Sequence, residues 1–197
     1  MTATLGRLST APAISRPDLL APPVAAALAG WDGRDRVSVA VIDDELADTA
    51  AFATAYDVPL EASANCVVVA GRRDGLERVA ACVVLACTRA DVNGAVRALL
   101  AVRKASFLPM ERAVQETGMQ YGGITPLGLP EGWRVLIDSR VVAAGPVVIG
   151  SGTRGAKLVL PGELLAALPG AQVVAALARP VAPGPVTSGP VAPGPVP

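Results

Sequence analysis

The sequence contains no histidine among its 197 residues. This absence excludes Ser-His-Asp and Cys-His catalysis and every zinc site that depends on histidine. Cysteine is scarce as well: Cys66, Cys82 and Cys87 are odd in number, and each lies in an apolar, strand-like run. We therefore predict reduced core thiols rather than a disulfide framework, no metal site and no cofactor.

Aromatic residues and long apolar runs are also few. Aromatic residues make up 3% of the chain, while the 52% of apolar residues are mostly Ala and Val, so the core should consist of small and β-branched side chains. Runs such as 67–70 and 79–87 are far shorter than the roughly 20 residues that cross a bilayer. Residues 1–23 lack the pattern of a secretory signal. We expect a cytoplasmic protein with no membrane partner.

Charge of either sign is balanced, with 17 basic and 17 acidic residues. This balance excludes a protein that binds nucleic acid through a large, uniform positive field. The distribution is uneven, because residues 32–61 hold eight acids against two arginines and residues 62–157 hold seven acids against twelve bases. The second segment could present a local basic face to a few phosphates, and an ordinary mixed surface is the alternative.

Composition divides the chain into three parts. Residues 1–24 mix Thr, Ser, Pro and Ala without periodicity, which predicts a flexible N-terminal arm. Residues 25–178 suffice for one domain of ordinary size. Residues 179–197 contain a duplicated Pro-Val-Ala-Pro-Gly-Pro-Val, at 180–186 and at 190–196. This composition predicts a disordered tail, with a docking peptide for a proline-reading partner as the alternative.

Strand-like and helix-like patterns follow each other irregularly within residues 25–178. A strand at 36–42 precedes a helix at 43–56, and two β-rich runs at 66–70 and 77–87 predict an antiparallel hairpin. Hairpins interrupted by helices predict a mixed sheet of the α+β class. The remaining predicted elements are helices at 91–102 and 109–117, strands at 133–138, 147–149 and 156–160, a short helix from 161, and a candidate strand at 171–177.

One loop, at residues 118–130, is a candidate binding site. It follows a predicted helix, precedes a predicted strand, and contains Gly122-Gly123, a pair that lets the backbone approach another molecule closely and present its amides. The loop matches neither the Walker A pattern nor the dinucleotide fingerprint. Taken alone, it could equally be an ordinary turn.

Four motifs follow one another along the chain: 111–118 with Gly122-Gly123-Ile124-Thr125-Pro126, then 135–138, then Ser151-Gly152-Thr153-Arg154-Gly155, and then a strand that leads into Pro161-Gly162-Glu163. This order resembles the YbaK-like family, the editing domains inserted in or associated with prolyl-tRNA synthetases. The resemblance spans roughly residues 25–177. It implies a single mixed α/β domain with a curved, largely antiparallel sheet flanked by helices, and an enzyme that hydrolyses the ester of a mischarged tRNA.

The resemblance also implies which residues bind the aminoacyl-adenosine end of the tRNA. Family members typically remove small wrong amino acids, such as alanine or cysteine, from the tRNA for proline. The implied partners are the tRNA acceptor end and, as a second candidate, prolyl-tRNA synthetase. The family's Gly-x-x-x-Pro loop corresponds to Gly122, Gly123, Ile124, Thr125 and Pro126, its aspartate to Asp138, and its glycine-rich wall to Ser151 and Gly152.

The chain departs from the family at Asn65. Family members carry a lysine in a Phe-Lys-Thr-Leu-like run, whereas this chain reads Ala64-Asn65-Cys66-Val67, so Asn65 takes the position of the catalytic lysine. An amide donates hydrogen bonds but brings no positive charge, and we expect Asn65 to be a weaker catalytic group. Lys104 could supply a cation from another element, with a solvated lysine near a helix end as the alternative.

Three functions therefore compete. The first is a trans-acting aminoacyl-tRNA deacylase that needs no enzyme nucleophile, because the ester is already activated and water or a substrate group can attack it. The second is a catalytically weak or silent member that binds aminoacyl-adenosine or the tRNA 3′ end. An interaction protein that works through its proline-rich tail is a third reading. The retained loops favour the first function, and Asn65 favours the second.

Overall fold

The computed structural model describes residues 5–181, which form eleven strands and six α-helices. The strands are β1 Thr10–Pro12, β2 Ser38–Val41, β3 Ala64–Arg73, β4 Leu76–Leu85, β5 Thr88–Ala90, β6 Lys104–Phe107, β7 Arg134–Asp138, β8 Pro146–Gly150, β9 Ala156–Pro161, β10 Ala171–Val174 and β11 Ala178–Pro180. The helices are α1 Pro22–Ala29, α2 Thr49–Tyr56, α3 Arg97–Leu100, α4 Met110–Thr117, α5 Ser139–Ala143 and α6 Gly162–Leu165. Short 3₁₀ segments lie at Ala13–Ser15, Pro17–Leu19, Arg34–Arg36, Asp44–Leu46 and Leu60–Ala62, and a π-helical turn lies at Val92–Val96.

The strands form two main sheets. One has the order β1-β2-β9-β8 and is antiparallel throughout, and the other has the order β10-β7-β4-β3-β6. In the second sheet β3 is antiparallel to both neighbours, whereas β7 is parallel to β4 and β10. A bridge between Ser63 and Val148 connects the two sheets. The predicted α+β fold with a mixed, largely antiparallel sheet is confirmed.

The hairpin of β3 and β4 sets the geometry of the second sheet. Its register runs from Ala64 opposite Leu85 to Arg73 opposite Leu76. Asp74 and Gly75 both have positive φ, at 52° and 79°, which a two-residue turn of type I′ requires. Because the turn needs only these two residues, the strands reach closer to it than the predicted runs 66–70 and 77–87 do, although β4 ends at Leu85, two residues earlier than predicted. The far end of the hairpin, where β3 begins, lies against the first sheet.

The core between the sheets is rich in valine, leucine and alanine, as the composition predicted. Buried residues of β2, β7, β8 and β9 pack there against α1 and α5. Phe52, on α2, is the one aromatic ring among the largest fully buried side chains of residues 5–181, and it belongs to a second, smaller buried cluster. None of the helices in this range combines the length and apolarity of a membrane span.

The N-terminal segment corrects one expectation. Residues 1–24 were expected to form a flexible arm, but β1 pairs with β2, and Leu8, Ala13, Leu20 and Ala21 are buried. The segment shows no sequence periodicity because its elements, the strand β1 and two 3₁₀ turns, have only three residues each and are too short to display one. At the other end of the chain, β11 pairs with β5. The rest of the predicted tail, from residue 182, lies outside the described residues.

Several helix predictions need smaller corrections. The helix expected at 43–56 is a 3₁₀ turn capped by Asp43 followed by α2, which Asp48 caps by accepting from the backbone N–H groups of Ala50 and Ala51. Asp91 caps a π-helical turn that continues into α3, not a single α-helix to residue 102. Lys104 begins the edge strand β6 and is exposed, so it does not lie near a helix end.

Asp138 has a structural role that its sequence context did not reveal. It is 0% exposed and caps α5, and its oxygens accept from the Arg140 side chain at 2.8 Å and from the backbone N–H of Ala178 at 2.9 Å. Burial by itself raises the pKa of this carboxyl, but the hydrogen bonds from Arg140 and Ala178 outweigh burial and lower the pKa below its usual value. The ionised carboxylate joins β7, α5 and β11.

We predict that Asp138→Ala lowers the free energy of unfolding by about 2–3 kcal/mol, because it leaves buried donors without their charged acceptor. Thermal unfolding should show a melting temperature lower by roughly 5 °C or more. Asp18→Ala is the matched control, since Asp18 pairs with Arg16 at 2.7 Å on the exposed surface, and its melting temperature should stay unchanged.

The same variant has an expected pH dependence. Because the folded-state pKa of Asp138 lies below the unfolded value, its stabilisation is present above about pH 3.9 and is lost as pH falls through the folded-state pKa. The stability difference between wild type and Asp138→Ala should therefore shrink in acid. A difference that stays constant down to pH 2 would contradict the assignment of the stabilisation to the carboxylate.

Candidate functional site

A cavity of about 420 Å³ lies where the start of β3 meets the end of β8. Its walls come from four places in the chain: the first turn of α2 with the residues before it, residues 63–67, the loop residues Tyr121, Gly122 and Ile124, and residues 148–150. Arg154 and Lys157 complete the lining. Both sheets therefore contribute to one cavity, which no single sequence motif encloses.

Glycines allow two loops to touch through their backbones beside this cavity. The Gly152 N–H donates to the Gly123 carbonyl oxygen at 2.8 Å, and the Gln120 N–H donates to the Gly152 carbonyl oxygen at 2.8 Å. A Cβ added to Gly123 would lie 2.5 Å from the Thr153 oxygen, and one added to Gly150 would lie 2.2 Å from the Gly123 oxygen. Side chains are excluded from these positions. Gly123 and Gly152 thus hold the wall together.

The other residues of the predicted loop have different surroundings. Gly122, with φ of +81°, and Ile124 line the cavity. Thr125 is 0% exposed, and its hydroxyl finds no hydrogen-bond partner within residues 5–181. Pro126 lines a separate apolar cavity beside Trp31. Of the five loop residues predicted to bind substrate, the structure therefore brings two onto the polar cavity.

Two further predicted site residues face the protein interior. The Ser151 hydroxyl donates to the Ala156 carbonyl oxygen at 2.9 Å and lies 3.0 Å from the Thr153 hydroxyl. Asp138 is occupied by Arg140 and Ala178, as described above. Neither Ser151 nor Asp138 is part of the cavity lining. Their contacts position the wall and the neighbouring strands.

Asn65 and Gly122 lie on the wall of the same cavity. Asn65 sits near the start of β3, is half-buried, and accepts a hydrogen bond at its Oδ1 from the Thr49 hydroxyl at 2.8 Å. This contact orients the amide and occupies its oxygen, so the NH₂ group is the part of the side chain left to donate to a ligand. The chain thus presents at this position a neutral donor, oriented by α2.

Lys157 is a cavity residue that the sequence reasoning missed. It lies on β9, is 7% exposed, and its Nζ donates to the carbonyl oxygens of Ala47 and Gly122, each at 3.3 Å. The ammonium lies 5.5 Å from the centre of the Phe52 ring. The available signal was a single charge inside the otherwise apolar run at 156–160. Lys104, which was considered instead, is not a cavity residue.

The cavity has an excess of positive charge. Its charged lining residues are Asp48, Arg154 and Lys157. Asp48 caps α2, and Arg154 donates to the Asp44 carbonyl oxygen at 2.8 Å. Burial lowers the pKa of Lys157, the Arg154 charge lowers it further, and Asp48 opposes the shift. Such a cavity favours a ligand that carries negative charge or develops it during a reaction.

Neither Cys66 nor Cys82 is an activated nucleophile. All three thiols are free, and Cys66 lines the cavity. Burial and the neighbouring Cys82 raise the pKa of the Cys66 thiol, and burial raises the pKa of Cys82 to about 12. Thiols with raised pKa values stay protonated at neutral pH and are poor nucleophiles. The predicted core location holds for Cys82, which is buried, whereas Cys66 and Cys87 are half-buried.

Comparison with solved structures identifies the fold. A candidate trans-editing enzyme for prolyl-tRNA synthetase has a TM-score of 0.66 at 23% identity, covering 78% of this chain and 94% of that one. A protein described only as hypothetical has a TM-score of 0.61 at 21% identity, covering 68% and 87%. A candidate signal transduction protein from Marinobacter aquaeolei VT8 has a TM-score of 0.51 at 18% identity, covering 83% of this chain and 30% of that one.

Comparison by sequence identifies the family. No curated protein matches the chain. The family model for the aminoacyl-tRNA editing domain matches residues 43–168, which is more than half of the chain and includes every residue that lines the cavity. The chain therefore belongs to the aminoacyl-tRNA editing domain family, and it is a hydrolase of the aminoacyl-tRNA deacylase class.

Proposed function

We propose that this deacylase acts in trans on tRNA charged with a small amino acid, and that the cavity shared by Asn65, Gly122 and Lys157 receives the aminoacyl end. The observation that carries the proposal is the convergence of these donors in one cavity that holds no activated nucleophile. A site of this kind suits hydrolysis of an ester that is already activated, because orientation and stabilisation of the developing negative charge are sufficient.

The size and lining of the cavity support a small amino acid. At about 420 Å³ the cavity lies at the lower end of the range for small-molecule sites. An aminoacyl-ribose group with a short side chain takes up much of that space. Val67, Ile124 and Val148 line the cavity with apolar surface. Large or charged side chains would be disfavoured by volume and by desolvation.

Two residues at the edge of the cavity offer a binding surface for the tRNA end. Tyr121 is 60% exposed and Arg154 is half-buried, and both line the cavity. An exposed aromatic ring can stack on a base, and a guanidinium can bind a phosphate. We place the terminal adenosine against Tyr121 and its phosphate near Arg154. Prolyl-tRNA synthetase as a partner and a cytoplasmic location are also proposals.

The second candidate is a member that binds the aminoacyl end and hydrolyses it slowly. The observation that favours it is Asn65, because a neutral amide stabilises an oxyanion less than an ammonium does. Its Oδ1 is already engaged by Thr49, so Asn65 has one polar group left for the substrate. Hydrolysis rate and binding affinity separate the two functions.

We predict that the purified chain hydrolyses one tRNA charged with alanine, serine or cysteine faster than the same tRNA charged with proline or phenylalanine. The rates of release of labelled amino acid should fall as the side chain grows, since the cavity limits volume. Binding of 3′-alanylamido-3′-deoxyadenosine, a stable amide analogue, is measured in parallel. Analogue binding without hydrolysis would support the silent member. The absence of both binding and hydrolysis would refute the proposed function.

We predict that Asn65→Ala lowers kcat/KM for the best substrate of this panel by roughly tenfold, because one oriented hydrogen-bond donor of about 1–1.5 kcal/mol is lost. Thr49→Val should have a smaller effect in the same direction, since it only releases the amide from its fixed orientation. Asn93→Ala makes the same change at an exposed position and should leave the rate unchanged. If Asn65→Ala is folded and fully active, the site does not include the start of β3.

A further inference from the structure

Lys157 is a buried cation whose contacts do not explain its presence. Within residues 5–181 it forms no salt bridge, and its two hydrogen bonds to carbonyl oxygens are long, at 3.3 Å each. Burial of a charge without a charged partner is destabilising, whereas an apolar side chain of the same length would pack well on Phe52. Asp138, the buried carboxylate, has Arg140 at 2.8 Å by contrast. Stability alone therefore does not account for Lys157.

The geometry leaves Lys157 able to bind a ligand. An ammonium has three N–H donors, and two of them are directed to Ala47 and Gly122. These two acceptors belong to different walls, so they hold the Nζ between the residues before α2 and the glycine loop. The third donor remains for the cavity, whose lining includes both Lys157 and Asn65.

We infer that Lys157 is a catalytic residue of this chain: its ammonium binds the ester carbonyl oxygen and supplies from β9 the positive charge that Asn65 does not supply from β3. The inference rests on the proposed deacylase function and names a residue for it. Asn65 and Lys157 act together, the amide orienting the aminoacyl group and the ammonium stabilising the charge. The charged donor thus lies on β9, in the first sheet, whereas the position of the family's lysine, Asn65, lies on β3, in the second sheet.

The step is an ordinary ester hydrolysis. The oxygen of water forms a bond to the carbonyl carbon, and the carbonyl electron pair moves to its oxygen, where the Lys157 N–H donates a hydrogen bond. When the tetrahedral intermediate collapses, the bond to the ribose oxygen breaks, and the ribose oxygen takes up the proton that the attacking water releases. The products are the free amino acid and the tRNA hydroxyl, and Lys157 keeps its proton throughout.

The electrostatic surroundings support this role. Burial and Arg154 lower the pKa of Lys157, while Asp48 opposes the shift. A more acidic ammonium donates a stronger hydrogen bond to an oxygen that gains negative charge. Since the charged form is the active one, activity should fall as pH rises through this lowered pKa. Asp48, Cys66, Tyr121 and Arg154 are the other titratable side chains that line the cavity.

The first test is Lys157→Met, which keeps the length of the side chain and removes its charge. The melting temperature should stay the same or rise, while kcat/KM for the best substrate should fall by roughly tenfold to a hundredfold, the effect of one charge-assisted hydrogen bond. Lys104→Met is the matched control at an exposed position, and it should keep full activity. The alkaline limb of the pH profile, corrected for uncatalysed hydrolysis, should be absent in Lys157→Met.

The decisive test is to return the charge to β3. The double variant Asn65→Lys with Lys157→Met should recover at least part of the rate that Lys157→Met loses, because the cation again enters the same cavity. If the wild type hydrolyses the panel and Lys157→Met is fully active, the inference is overturned and the proposed function remains intact. The inference would also be overturned if Lys157→Met lost its activity together with its fold and a double variant that folds did not recover activity. A wild type inactive on the whole panel would instead refute the proposed function.

Discussion

The site depends on the backbone contact between the loop at 120–124 and the loop at 150–155. The Gly152 N–H bonds the Gly123 oxygen, and a Cβ at Gly150 or Gly123 would overlap the opposing backbone. Only glycine permits such an approach. The contact joins the end of β8 to the segment that follows α4, and it holds the Gly122 carbonyl oxygen where Lys157 can donate to it. The two loops and the Lys157 ammonium are thereby fixed relative to one another.

The two buried charges of the structure show how differently a protein can use them. Asp138 accepts hydrogen bonds from the side chain and the backbone of Arg140 and from Ala178, so its carboxylate is satisfied and serves the fold. Lys157 has two long hydrogen bonds to carbonyl oxygens and forms no salt bridge within residues 5–181, although the Asp48 charge acts on it from the cavity wall. An incompletely satisfied charge is costly to the free protein and useful only when a ligand completes its bonding. The contrast assigns one charge to stability and the other to the site.

Features that depend on a few neighbouring residues could be predicted from the sequence. The Asp74-Gly75 turn, the capping carboxylate of Asp91 and the glycine-rich loop are local, because turn and cap geometry follow from the residues that form them. The family resemblance placed Asn65 near the glycine loop, and the structure has both on one cavity. Fold class and family were therefore accessible without coordinates.

Features that depend on distant contacts could not be predicted in this way. Leu8, Ala13, Leu20 and Ala21 are buried in a segment that pairs with β2 and donates from the Ala21 N–H to the Ser151 carbonyl oxygen, yet the segment's own pattern shows no period. Lys157 reaches the cavity only because β9 lies between β2 and β8, and that order is set by pairing across more than 100 residues. The substrate-binding roles expected of Asp138 and Ser151 came from motif position, which does not show whether a side chain points into a cavity or into the core.

What matters for the cation in this site is where its ammonium lies in the cavity, not which strand carries the residue. An ester carbonyl is stabilised by a donor at a particular point, and a lysine with its four-carbon stem can bring its ammonium to that point from more than one strand. Here the start of β3 and the strand β9 border the same cavity from different sheets. If Lys157 carries the charge, as we infer, an amide at Asn65 is compatible with hydrolysis, because the amide then needs only to orient the substrate. Absence of a lysine at one motif position is therefore not sufficient to make an editing domain silent; the cavity as a whole must lack a cation.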